Sequence, residues 1–232
     1  LNNSSSVYWN LGQNFKVPNA TLLYNLTTSD QSPDLKPEVS TTLETGYKYE
    51  GQNFGLSVSA YQMDISDRIV RTQGTLSEMA TSVNAGKSSH RGIEIGAAAS
   101  PVSDVRLDAS VGVMENKFVE YKTGGSDYSG NTEANSPNQV YNFRITYKPR
   151  YLKALSTSLD WKQVGSSWIE DANQNRQEGY SQVSLNADYA LSKSVNLNLR
   201  AVNLTNTKYP VDIANYGVLL YRPGMPRTVY TG

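Results

Sequence analysis

The chain has 232 residues, with 21 basic and 21 acidic side chains, one histidine and no cysteine. Balanced charge removes the electrostatic case for a nucleic-acid partner, and the missing cysteines exclude disulfide frameworks, thiol catalysis and Cys-ligated metal. Only 38% of residues are hydrophobic, and no apolar run approaches the ~18 residues of a membrane helix.

A membrane can also be crossed by strands of about 9–11 residues, of which only half meet lipid. Alternation of apolar and polar residues with a period of two predicts strands over 4–12, 39–50, 54–71, 82–99, 104–121, 138–148, 154–168, 180–191, 194–205 and 226–232. In chain order, one parity carries Leu43, Tyr47 and Tyr49, then Phe54, Leu56 and Val58, then Ile93, Ile95 and Ala97. It continues through Leu107, Ala109, Val111 and Val113, Phe143 and Ile145, Leu159 and Trp161, Val183 and Leu185, and Leu197 and Leu199. None of these is charged. The opposite parity holds Glu44, Lys48, Glu94, Arg106, Asp108, Arg144, Asp160, Lys162, Asp188 and Arg200. Successive strand residues point to opposite faces, so each ribbon has an uncharged side and an ionic side. An Arg or Lys facing lipid at the midplane costs ~2–4 kcal/mol, which gives this segregation a reason in a bilayer.

The connectors alternate in length. Residues 51–53, 101–103, 149–153 and 191–193 are short, whereas 13–38, 72–81, 122–137, 169–179 and 206–225 are long and polar. Outer-membrane barrels put short turns on the periplasmic side and long loops outside. Tyrosine is abundant, with 16 copies against 4 phenylalanines. Tyr49, Tyr147 and Tyr189 each occupy the uncharged parity just before a short turn, the position of an interfacial aromatic girdle. Pro18, Pro37, Pro223 and Pro226 stop ladder pairing near loop ends. Gly46 and Gly92 leave room on the charged face for a plug or a bulky neighbour, and Asn203 marks a bulge or the upper limit of a strand.

Several segments resemble the C-terminal half of the barrel of TonB-dependent outer-membrane receptors. They are Gly12-Gln13-Asn14-Phe15-Lys16-Val17-Pro18 with Leu23 and Tyr24, Leu35-Lys36-Pro37-Glu38 with Glu44 and Gly46, and Tyr61 with Asp64 to Ile69. Asn84-Ala85-Gly86 before Arg91-Gly92-Ile93-Glu94, and Val202 to Asn206 with Tyr209 and Gly224-Met225-Pro226-Arg227, complete the set. The resemblance implies an all-β fold: about ten C-terminal antiparallel strands of a 22-stranded transmembrane β-barrel, with the plug domain outside this chain. It implies a monomer in the bacterial outer membrane, in contact with lipid, that works with the TonB energy-transducing complex through parts not in this chain. The chain starts at Leu1 without a signal peptide and stops within a predicted strand at Gly232, so residues 1–232 are expected to be a fragment of a longer barrel domain.

No catalytic constellation stands out, and no enzyme activity or cofactor is expected. A lone histidine, His90, cannot supply a His cluster for metal; a local hydrogen bond is the expected role. Asp171, Asn173, Asn175 and Glu178 lack the spacing of an EF-hand loop and read as polar surface. Ligand contact is assigned instead to loop residues: Phe15, Lys16, Tyr24, Trp168, Arg176, Tyr216, Tyr221 and Arg222. Rings and guanidinium groups hold anionic, flat chelates by stacking, cation–π contact and charge-assisted hydrogen bonds. Glu44, Lys48, Glu94, Arg106, Asp108 and Arg144 are expected to face the lumen and plug. The expected function is TonB-dependent import of a scarce large ligand, with a ferric siderophore as the leading candidate. The rivals are a passive porin or glycan channel, and a soluble β-sandwich binding module.

Overall fold

The computed structural model describes residues 4–19, 23, 34–71, 82–123, 125–215 and 219–232. Its elements are β1 (Ser5–Lys16), β2 (Glu38–Glu50), β3 (Phe54–Arg71), β4 (Ser82–Val102), β5 (Val105–Thr123), β6 (Ser126–Asp127), β7 (Gln139–Tyr147) and β8 (Leu155–Val164). They continue as β9 (Ser167–Trp168), β10 (Arg176–Gln177), β11 (Tyr180–Ala190), β12 (Asn196–Val202), β13 (Pro210–Asn215), β14 (Leu219–Pro223) and β15 (Thr228–Thr231). One 11-stranded sheet runs β1-β2-β3-β4-β5-β7-β8-β11-β12-β15, with β6 paired to β5 off that path. Every pairing is antiparallel between neighbours in sequence along this path. This is the meander that short turns and long loops dictate.

The register keeps each parity on one face across the sheet. Leu56, Ala97 and Ala109 follow one another through the pairs Leu56↔Ala97 and Ala97↔Ala109, and Ile145 sits between Leu107 and Leu159. The ionic parity pairs likewise, Asp108 with Arg144 and Arg144 with Asp160.

Burial separates a barrel wall from a soluble sandwich. A sandwich would seal its apolar parity in a dry core. Here Trp9, Leu11, Leu43, Ile93, Val113, Leu159, Trp161 and Leu197 are all exposed, with Trp9 at 78%. Among the described residues the buried hydrophobics are only Phe118, Tyr121, Ile169, Ala201 and Ile213. So large an uncharged exposed surface is suited to hydrocarbon rather than water. Tyr49, Tyr147 and Tyr189 lie on this face beside the short turns, with the Tyr49 and Phe54 rings 6.1 Å apart.

Three boundaries differ from the sequence reading. β1 does not stop at residue 12: Gly12 to Lys16 pair with Thr42 back to Glu38, and Lys16 Nζ lies 3.2 Å from Glu38 Oε2. The ladder runs on because β2 offers free partners up to Glu38, and it ends just before Pro18. β8 ends at Val164 rather than 168, because the chain turns at Gly165 and re-pairs as the separate β9–β10 hairpin. A Cβ at Gly165 would meet the Gln139 side chain and carbonyl, which explains the glycine at that bend. Finally, the long connector 206–225 contains the β13–β14 hairpin.

β3, β4 and β5 have 18, 21 and 19 residues. That exceeds the 9–11 needed to cross a bilayer. Their short-turn ends lie level with those of shorter strands, so the surplus projects on the long-loop side. Bulges there, between Ile65 and Arg68 and between Lys87 and Ser88, bend the extensions.

Candidate functional site

The curved sheet encloses a concavity of about 1680 Å³, lined on the ionic parity by Lys48, Ser57, Asp108, Ser110, Arg144 and Asp160, and by Lys162, Ser184, Asn186, Asp188, Asn198 and Arg200. Arg106 lies on the same parity and grips Asp108 through Nε at 3.0 Å and Nη2 at 2.7 Å. Arg144 pairs with Asp160, whose other oxygen accepts from Asn186 Nδ2 at 2.8 Å. Glu44 accepts a 2.5 Å hydrogen bond from Tyr8 Oη, and the Lys48 ammonium lies 5.3 Å from the centroid of the Tyr8 ring. Glu94 stands opposite Ser59 and Gly112 on this parity. Ion pairs this exposed add little stability. Their effect is to fix an alternating pattern of donors and acceptors on an inward wall.

At the long-loop end, the candidate ligand residues separate. Phe15 is 73% exposed but shares the parity of Trp9 and Leu11, opposite Val39, so its ring points with the uncharged outer set rather than into the concavity. Lys16, on the inward parity, is engaged by Glu38. Trp168 and Arg176 are brought together as a cross-strand pair of the β9–β10 hairpin, with the guanidinium carbon 5.7 Å from the indole centroid. Arg176 Nε also donates to Ser166 Oγ at 3.0 Å. Tyr221 and Arg222 lie on β14, opposite Ile213 and Asp212. Tyr24 and Tyr216 lie outside the described residues.

Sequence reasoning missed a second cluster at this end. Glu133, in the β5–β7 connector, is only 8% exposed. It pairs with Arg68 of β3, and its Oε1 lies 2.7 Å from His90 Nε2 of β4. Arg68 also covers the Phe118 ring at 5.2 Å and donates to the buried Ser88 hydroxyl at 3.3 Å. Burial pushes the Glu133 carboxyl upward, but hydrogen bonds from His90 and Arg68 and their charges outweigh it and hold it at about 2. An ionised carboxylate only accepts, so His90 donates through Nε2. His90 therefore makes a hydrogen bond, as expected, but to a distant loop rather than locally: Glu133 lies 43 positions on in the chain.

The Asp171-Asn173-Asn175 cluster is also explained. Asp171 Oδ1 accepts from Ala134 N at 3.0 Å, and Asn173 clasps both the N–H and the carbonyl of Thr132 at 2.8 Å. Glu170 Oε1 accepts from the backbone of Gln174 and Asn175. These carboxamides and carboxylates join two loops. A single buried carboxylate in a polar connector carries no periodic signal, which is why the sequence did not flag Glu133.

Asn203 is fully buried with φ 54°. Its Nδ2 donates to the carbonyls of Thr207 and Met225, and its Oδ1 accepts from Thr207 N at 2.9 Å. It ends β12, as the break in alternation suggests, and closes the base of the 206–225 connector.

Residues 1–204 match the family described as TonB dependent receptor-like, beta-barrel. The chain belongs to the TonB-dependent receptor β-barrel family. It is therefore an outer-membrane β-barrel protein. The ferrichrome receptor FcuA of Yersinia enterocolitica is 26% identical over 191 residues, covering 80% of this chain and 24% of that protein. Among solved structures, the ferric yersiniabactin uptake receptor FyuA of Yersinia pestis matches with a TM-score of 0.77 and 22% identity, over 99% of this chain and 34% of that one. The copper transporter OprC matches with a TM-score of 0.79 and 20% identity, over 100% of this chain and 37% of that one. The chain thus spans about a quarter to a third of the length of the relatives it matches. Structural likeness at these identities speaks for the fold.

Proposed function

We propose that this receptor chain forms the C-terminal part of the wall of an outer-membrane transporter that imports a ferric siderophore. The observation that carries the transporter reading is the segregation across one continuous antiparallel sheet: ionic residues line the concavity and uncharged ones face outward. The siderophore class is supported by relatives named as receptors for ferrichrome and ferric yersiniabactin. In this reading iron arrives already chelated, as cargo. Trp168 and Arg176 offer a ring and a cation to it, with Lys16, Tyr221 and Arg222 as further contacts at the long-loop end. Glu44, Lys48, Glu94, Arg106, Asp108 and Arg144 form the wall against which a plug seats. Energy enters from the TonB complex through parts of the protein outside these 232 residues. The protein acts as a monomer and performs no covalent chemistry.

The test is growth of an iron-starved strain lacking the gene, complemented with the full-length gene, on ferrichrome, other ferric chelates, cobalamin, glycans and copper. Restored growth on at least one ferric chelate, lost again when TonB is absent, is the expected result. Rescue by copper or a glycan alone would replace the siderophore assignment, and TonB-independent rescue would replace active transport.

A further inference from the structure

Two long loops that are separate in sequence are built as one body. The β5–β7 loop folds back onto its own strand: Phe118 N donates to Asn131 O at 2.9 Å, Gly130 N to Phe118 O at 2.7 Å and Glu133 N to Asn116 O at 3.0 Å. The same stretch is joined to the β8–β11 loop. Asn131 Nδ2 donates to Asp171 O, Thr132 exchanges two hydrogen bonds with the Asn173 carboxamide, and Ala134 N donates to Asp171 Oδ1. Asn135 N then donates to the carbonyl of Trp168 at 2.7 Å. The last of these bonds reaches the backbone of the Trp168–Arg176 pair itself.

Beyond these backbone bonds to β5, Glu133 fastens the double loop to two further strands of the wall. Its carboxylate takes Arg68 from β3 and His90 from β4, two different strands, in a site walled by Phe118 and Ser88. Loops without such an anchor must be ordered by the ligand, at a cost in affinity; pre-ordering removes that cost. We propose that Glu133 is a positioning residue for ligand capture: anchored to Arg68 and His90, it holds the β5–β7 loop, and through that loop the Trp168–Arg176 hairpin, as a single preformed surface. This rests on the reading above that Trp168 and Arg176 meet the ligand.

The experiment is hydrogen exchange on full-length receptor in detergent, without ligand. Glu133→Gln keeps the shape and removes the charge. It should speed exchange about tenfold or more at the amides of both 130–135 and 168–176, with 106–112 unchanged. In an Asn173→Ala background, where the loop-to-loop clasp is weakened, the effect of Glu133→Gln at 168–176 should shrink while that at 130–135 persists. His90→Ala gives a second route if Glu133→Gln assembles poorly. Faster exchange confined to 130–135, or an unchanged pattern in both variants, overturns the proposal. Failure of the ligand reading looks different: Trp168→Ala and Arg176→Ala would leave chelate-dependent growth intact while the exchange coupling remained.

Discussion

The Tyr61 ring stands over Gly92, its cross-strand partner on the inward parity, in the space where a side chain at Gly92 would lie. Tyr8 does the same to Gly46 one hairpin earlier. The two cases differ in what surrounds the missing Cβ. At Gly46 the nearest atoms all belong to the Tyr8 ring, whereas at Gly92 the backbone carbonyl of Val113 is as close as Tyr61, at 2.8 Å.

That difference predicts opposite rescue behaviour. Gly46→Ala and Gly92→Ala should each destabilise the barrel by about 1–3 kcal/mol through overpacking. Adding Tyr8→Ala should recover most of the Gly46→Ala loss, but Tyr61→Ala should recover little at Gly92, because a carbonyl in the ladder cannot swing away. Urea unfolding of refolded full-length barrel in lipid measures both pairs.

Adjacent residues on β5 test the two faces. Leu107 lies on the outer parity between Ala99 and Ile145, and Asp108 lines the concavity. Leu107→Arg places a cation in lipid one rung above the Tyr147 girdle, where the cost lies between the ~0–1 kcal/mol of the interface and the ~2–4 kcal/mol of mid-depth. Asp108→Asn releases Arg106 but keeps a polar group facing inward, and should assemble almost normally. Heat-modifiable migration on gels reads assembly; equal tolerance of both substitutions would falsify the face assignment.

The Glu133 anchor has a definite acid limit. Its carboxyl sits at about 2 in the folded protein against an ordinary 4.5. A depressed folded value means that the stabilisation is complete above 4.5 and is lost as pH falls from there towards 2. The gap corresponds to about 3 kcal/mol. Protection of amides 130–135 should therefore decline as pH falls from 4.5 towards 2, and decline less in Glu133→Gln, where Asp171, which accepts from Ala134 N and whose carboxyl is pushed up by burial, remains as a titrating group beside the loop. Unchanged protection of the native loop at pH 2 would contradict this.

Asn203 should be hard to replace. Asn203→Ala strands the Thr207 N–H and two carbonyls and strains the left-handed backbone, and each unmet buried group costs about 1–3 kcal/mol. Asn203→Gly relieves only the strain. Limited proteolysis should cut the 206–225 connector fastest in Asn203→Ala, more slowly in Asn203→Gly and slowest in the native chain.

The wall was legible because period two is forced wherever a strand has lipid on one side and polar groups on the other. Leu107 and Asp108, or Leu159 and Asp160, declare their faces without knowledge of their partners. The continuation of β1 through Gln13 to Lys16 was not legible, because Gln13 on the outer parity interrupts the apolar run before Phe15 resumes it. The β13–β14 hairpin was missed for a related reason: its strands are short and follow several turn-forming residues. Glu133 was invisible because its partners, Arg68 and His90, lie 65 and 43 positions away along the chain, and a pairing across that separation leaves no local pattern. Asp171 and Asn173 read as polar surface, because their partners are backbone groups of another loop, which leave no mark on the local sequence.

The ladders of β3, β4 and β5 continue well past the last apolar rung. At about 3.3 Å per residue, the surplus of some ten residues in β4 makes a palisade roughly 30 Å along the strand. What an antibody would meet at this place is then a hydrogen-bonded sheet whose epitopes are assembled from three strands. Boiling in detergent erases such epitopes, so sera raised against the denatured chain would fail to stain intact bacteria there.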